Sequence, residues 1–135
     1  MHLKNPLLFG LMAVLLLGGT ITPAISQSSP DTIKINEVET NPTMGSQEYV
    51  ELYNPTTQPI DISGWSLVPK ATWKALEIPS NTVIEPKSFL FFTHVNFWFN
   101  DFGETISLYD DVGELIDETP LLIDRNNDSK SWQRI

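Results

Sequence analysis

Three linked segments decide the fold: Ile33-Lys-Ile-Asn-Glu-Val-Glu-Thr-Asn-Pro42, then, after a polar loop, Glu48-Tyr-Val-Glu-Leu-Tyr-Asn-Pro55, then Ile60-Asp-Ile-Ser-Gly-Trp-Ser-Leu67. Their apolar residues recur at every second position, the period of a strand, and not at the period of about 3.6 that marks a helix. Ile33 and Ile35 share one face. Val50 and Leu52 share another, among Tyr49, Glu51 and Tyr53, and Ile60 and Ile62 repeat the alternation around Asp61. Asn54-Pro55 and Gln58-Pro59 bracket a turn. Proline fixes its own φ and pushes the preceding residue to extended geometry, so both ends suit strands and oppose a helix. Ser63-Gly64 then bends the chain, and Trp65 opens a further strand. Trp65 is expected in the core, because a buried indole brings a large apolar area and needs one partner for its N–H.

Working outward, Val68 to Leu76 is interrupted by Pro69 and carries Lys70, Trp73 and Lys74. Ile78 to Pro86 reads as a turn and a short strand. Phe89-Leu-Phe-Phe92 is apolar on both faces, a pattern that predicts a covered strand inside a sheet, not an open edge. Asn96 to Phe102 gathers Phe97, Trp98, Phe99 and Phe102. Glu104 to Tyr109 alternates again, with Ile106 and Leu108 on one face, and Asp110-Asp-Val-Gly113 predicts a hairpin turn with glycine at positive φ. Leu115 and Ile116 continue the return strand up to Pro120, Asp124 to Lys130 is a polar loop, and Ser131-Trp-Gln-Arg134 starts one more strand. Short strands between turn signals, with no helical stripe, predict an all-β sandwich or barrel.

The length of 135 residues fits one small domain. Residues 1–26 read as a signal peptide: Lys4, an apolar run from Leu7 to Leu17, and small residues in Ala24-Ile-Ser26 that place cleavage between Ser26 and Gln27. A retained anchor is the alternative, but the run is short against the roughly 20 residues a spanning helix needs. Residues 27–32 form a linker, and residues 33–135 the folded domain. The chain has no cysteine. Export without disulfides suits a prokaryotic secreted or cell-surface protein. The formal net charge is −9, and all 17 acids lie beyond residue 30. Such a surface repels nucleic acid and acidic lipid and suits cations, a basic partner or a salty extracellular setting.

Ile35-Asn-Glu-Val38, Glu48-Tyr-Val-Glu-Leu-Tyr-Asn-Pro55, Ile60-Asp-Ile-Ser-Gly-Trp-Ser-Leu67, Ile78-Pro79 with Ile84-Glu-Pro86, Gly103-Glu-Thr-Ile-Ser-Leu-Tyr-Asp110, Gly113-Glu-Leu-Ile-Asp117 and Ser131-Trp-Gln-Arg134 occur in that order. Together they resemble a lamin-tail domain of the exported prokaryotic kind, over about residues 33 to 135. Each piece alone is weak, and their order makes the signal specific. The resemblance implies an immunoglobulin-like β-sandwich that is not itself catalytic and serves protein contact, attachment or scaffolding. In bacteria and archaea such domains occur on secreted or surface proteins, sometimes beside hydrolases or nucleases. The family pattern continues past a Ser-Trp-Gln-Arg segment into a last strand, whereas the sequence here ends at Ile135, so the sandwich is expected either to continue in further chain or to lack that strand.

Candidate sites are few. Catalysis by a Ser or Cys nucleophile needs a base beside it. His94 is the one histidine beyond the leader, and it reads as a strand-end residue. Asp124, Asn126 and Asp128 place oxygen side chains at alternate positions, as Ca²⁺ loops do, but the glycine and closing glutamate of a full loop are missing, so a solvated turn is the competing reading. The aromatic set Trp73, Phe97, Trp98 and Phe99 exceeds what one small core can hold. At least one of these rings is therefore expected to make contact with a protein partner or, alternatively, a cell-surface glycan, while one or two of them cap the core. The function expected is a non-catalytic secreted or surface module. Its alternatives are a carbohydrate-binding module and an accessory domain for a separately encoded hydrolase or nuclease.

Overall fold

Alternation along the strands sorts side chains into a core and two outer faces. A computed structural model describes residues 32–135. The expected signal peptide and all of the linker but Thr32 lie outside the described residues. Strands β1 (Lys34–Glu39), β2 (Tyr49–Tyr53), β7 (Phe89–Phe92) and β10 (Trp132–Gln133) form one antiparallel sheet in the order β10-β1-β2-β7. The second sheet runs β5-β4-β8-β9, from β4 (Ser66–Pro69), β5 (Leu76–Glu77), β8 (Ile106–Tyr109) and β9 (Leu115–Glu118). A ribbon of β3 (Ile60–Asp61) and β6 (Val83–Ile84) lies in the connections. Ile35, Val38, Val50 and Leu52 from the first sheet and Leu67, Ile106 and Leu108 from the second join one buried cluster, closed by Ile62, Ile78 and Ile84. This is an all-β immunoglobulin-like sandwich. Among the described residues no helix is long and apolar enough to cross a membrane.

The Asp110–Gly113 turn joins β8 to β9 as its residues predict: Gly113 sits at φ 86° and its N–H donates to the Asp110 carbonyl at 3.1 Å. Strand β1 carries a bulge, with the register shifting between Ile35 and Glu37. There the Ile35 N–H donates to Asp117 Oδ2 of β9 at 2.8 Å, and Arg134 Nε donates to the Ile35 carbonyl at 2.8 Å. Arg134 also pairs with Asp117 at 2.6 Å. The bulge therefore ties one sheet to the other through a charge-assisted clamp.

Two expectations are corrected. Trp65 is only partly buried, packed against the core from its edge; the indole at the centre is that of Trp98, which has no exposed surface. Phe89–Phe92 is not a central strand. It is the edge of the first sheet, and Phe89 and Phe91 are 51% and 57% exposed. Their rings rest sideways on β2 neighbours: Phe89 stacks on Tyr53 at 4.6 Å, and Phe91 meets Tyr49 edge-on at 5.5 Å. Lateral aromatic contact takes the place of a covering layer.

The Asn-Pro turn holds more than a backbone preference. Asn54 is fully buried, its amide donates to the Gln58 and Ile84 carbonyls at 2.8 Å each, and its Oδ1 accepts from the N–H and hydroxyl of Thr56. Asn54→Ala would take a donor from the buried Ile84 carbonyl and untie the turn at Gln58 and Thr56, and a loss of about 2 kcal/mol is expected in urea denaturation.

Candidate functional site

At one end of the sandwich the β4–β5 and β7–β8 loops are fastened to each other. Trp98 Nε1 donates to the Lys74 carbonyl at 2.8 Å, Thr72 Oγ1 donates to the Trp98 carbonyl at 2.6 Å, and Lys74 Nζ donates to the Phe97 carbonyl. Two carboxyl groups anchor this pair of loops to the strands. Glu48, just ahead of β2, accepts the N–H groups of Trp98 and, at 3.2 Å, Phe99. Glu104, buried just ahead of β8, accepts from Ala71 at 2.8 Å, Thr105 at 3.0 Å and Asn100 at 3.3 Å. One acid thus reaches into both loops.

On that base stand Trp73 and Phe97, 75% and 81% exposed. Both have left-handed backbone, with φ of 59° and 54°. For bulky side chains this conformation is uncommon and costs about 1–2 kcal/mol each. Asn81 and Lys87 share the sign of φ, at turns; what sets Trp73 and Phe97 apart is a large apolar side chain held in water on strained backbone. Beside Phe97 lies an open cleft of about 370 Å³, lined among others by Met44, Glu48, Asn96 and Asp101.

The structure divides the expected contact set. Trp98 and Phe99 are core residues, stacked on each other at 4.4 Å, so neither offers a face to a partner. Burial follows from the backbone bonds to Glu48 and from the indole's Lys74 carbonyl. Trp73 and Phe97 remain on the surface, on loops the structure brings together. His94 sits edge-on to Trp98 at 5.5 Å. Of the expected Ca²⁺ ligands, Asp124 Oδ1 accepts the Asn126 N–H at 3.0 Å, and Asp128 pairs with Lys130 at 3.0 Å. These oxygens serve their own loop, and among the described residues no three acid, cysteine or histidine side chains gather as a metal site would require.

Three acids, Glu48, Asp101 and Glu39, titrate upward. Burial raises the pKa of Glu48, helped by the neighbouring Asp101; burial and repulsion from Asp124 do the same to Asp101; burial, then Asp124 and Asp128, raise Glu39. Elsewhere the Lys70 ammonium, 2.5 Å away, and the Ser107 hydroxyl hold Glu118 below the ordinary value. A group raised on folding binds protons more tightly in the native state, so its ionisation lowers stability as pH rises through the window above 4.5. A group lowered on folding contributes stability that is lost as pH falls through its depressed value. Melting temperature is therefore expected to hold or rise from pH 7 to about 5 and to drop below about 4. Thermal melts followed by circular dichroism at fixed ionic strength check this; a steady fall from pH 7 to 5 would contradict the assignment of Glu48, Asp101 and Glu39.

A model of one protein family, the Lamin Tail Domain, matches residues 26–120, well over half of the chain. The chain belongs to the lamin-tail domain family. No curated protein matches it. The family match places this lamin-tail domain among non-catalytic, immunoglobulin-like modules that generally serve protein interaction. The matched span covers both loops of the site, with Trp73, Phe97, Glu48 and Glu104 all inside it.

Sequence reasoning missed the two anchoring acids of this lamin-tail domain and the outer aromatic face formed by Tyr49, Tyr53, Phe89 and Phe91. One signal was available for the face: Tyr49, Tyr53, Phe89 and Phe91 fall on the opposite parity to Val50, Leu52, Leu90 and Phe92, so they had to point away from the core.

Proposed function

We propose that this lamin-tail domain is a non-catalytic module of an exported, prokaryotic-type protein, secreted or held at the cell surface, that grips a protein partner with Trp73 and Phe97. The observation that carries the reading is the pair itself: large aromatics, exposed, on strained backbone, over a base made rigid by Glu48 and Glu104. Aromatic anchors of this kind dominate binding energies at protein interfaces, and rigid support keeps the entropy cost of binding low. The N-terminal pattern of residues 1–26 and the lack of cysteine support export. A separately encoded secreted hydrolase or nuclease is one form the partner can take. No metal enters this reading, and adding Ca²⁺ is expected to leave the melting temperature unchanged.

The test is capture of exported proteins from the producing cell by the purified protein and by its Trp73→Ala/Phe97→Ala double variant, with a glycan array in parallel. The reading predicts a protein captured by the wild type and lost at least tenfold in the variant, with the array silent. Equal capture by both would remove the loop end from the interaction. Array binding that disappears in the variant would move the function to carbohydrate recognition.

A further inference from the structure

Among the described residues, strand β7 ends the first sheet and pairs with β2 alone. The Asn54 N–H donates to the Ser88 carbonyl at 3.0 Å, which fixes the phase of the ladder. In an antiparallel pair the bonding residues alternate, so Leu90 and Phe92 face β2, while Phe89 and Phe91 turn their N–H and C=O groups to the open side. The same two residues carry the exposed rings of the outer face. The other sheet-end strands are unlike it: β5 and β10 have two residues each, and β9 carries Asp117 and Glu118. Ser88-Phe-Leu-Phe-Phe-Thr93 has no charge, proline or glycine, and its pairing with β2 has no bulge. These are the devices that usually blunt an edge, and β7 has none of them.

Charge selects the occupant. Across the outer face one row runs Glu37, Glu51, Phe91, and the next runs Lys34, Tyr53, Phe89. An added strand supplies the following position in each row, roughly 10 Å from β2. A lysine or arginine opposite Phe91 would lie against that exposed ring, which attracts cations, in the row that Glu51, nearly buried and bonded by the Asn36 amide, and Glu37 continue. The formal charge of −9 draws the same partner and sets two copies of the chain against each other.

We infer that the open edge of β7 receives an extended basic peptide segment of a partner protein, with lysine or arginine at alternate positions, as a fifth strand of the first sheet. Main-chain bonds to Phe89 and Phe91 give the affinity, and the acidic aromatic face gives the selectivity. This surface is distinct from Trp73 and Phe97 and stands or falls separately from the loop end.

The test is amide hydrogen exchange by NMR on the purified protein with two blocked hexapeptides, a Lys-Val repeat and a Glu-Val repeat. The Lys-Val peptide is expected to slow exchange at the Phe89 and Phe91 amides at least tenfold, with Trp73 and Phe97 unchanged and the Glu-Val peptide inert. Phe91→Pro removes one outward N–H while leaving the ladder to β2 intact, and should abolish the protection. Should that variant fail to fold, Phe91→Lys, which adds repulsion in the same row, is expected to weaken it at least tenfold. Equal protection by both peptides, protection at the loop end instead, or no protection overturns the proposal. So does protection that grows with protein concentration in the absence of peptide, which would make the occupant a second copy.

Discussion

Trp98→Ala is expected to destabilise the domain by about 3–5 kcal/mol, the range for emptying a fully buried large aromatic site. Domains of this size are stable by about 5–15 kcal/mol in total, so the variant keeps between almost none and about four-fifths of its stability. Three losses combine. The cavity removes the stack on Phe99 and the contact with His94. The Lys74 carbonyl loses its indole donor. The backbone held by Glu48 loses the side chain that makes its burial favourable. Trp65→Ala, at the margin of the core, should cost about 2 kcal/mol or less. Urea denaturation of the two variants checks the ranking; if Trp65→Ala proved the more damaging, the placement of the central indole would be wrong.

Glu104→Gln carries the second large effect, about 2–4 kcal/mol, although it changes the volume hardly at all. The carboxyl accepts three N–H groups, from Ala71, Asn100 and Thr105. A glutamine amide offers one acceptor oxygen and only neutral bonds, and its NH₂ faces at least one of these part-buried backbone donors, which is left unpaired. The signature is local as well as global. Amides of Ala71 and Asn100 should exchange faster than the strand amides of β1 and β2, and the loops bearing Trp73 and Phe97 should loosen together. Partner capture should then weaken with both aromatic side chains still in place. A Glu104→Gln protein with wild-type stability and unchanged exchange at Ala71 would show that the acid does not join the loops.

The sandwich was legible in the sequence because its determinants are local. Alternation in Ile33–Leu67 sorts faces, Asn54-Pro55 and Gly113 fix turns, and Ile106 with Leu108 repeats the pattern on the second sheet. The contact site was half legible. Its aromatic surplus could be seen, but not which rings are surplus: Trp98 is buried by Glu48, 50 residues earlier, and by the Lys74 carbonyl, 24 residues earlier. Nothing in a strand-end acid of a chain with 17 acids distinguishes Glu48 or Glu104 from a solvated one. The edge position of Phe89–Phe92 was hidden for a related reason. An apolar run reports that both faces find contacts, and here one face finds them beside it, on Tyr49 and Tyr53, with no layer above.

The claim beneath the functional reading is that Trp73 and Phe97 are held in water for contact and contribute nothing to folding. Urea denaturation of Trp73→Gly and Phe97→Gly tests it, because glycine adopts left-handed backbone without strain. The account predicts stability equal to the wild type or up to about 1 kcal/mol higher for each, the relief of strain being partly offset by the entropy of the unfolded glycine chain. A loss of more than about 1 kcal/mol in either variant would mean that the ring packs for stability, and would contradict the account.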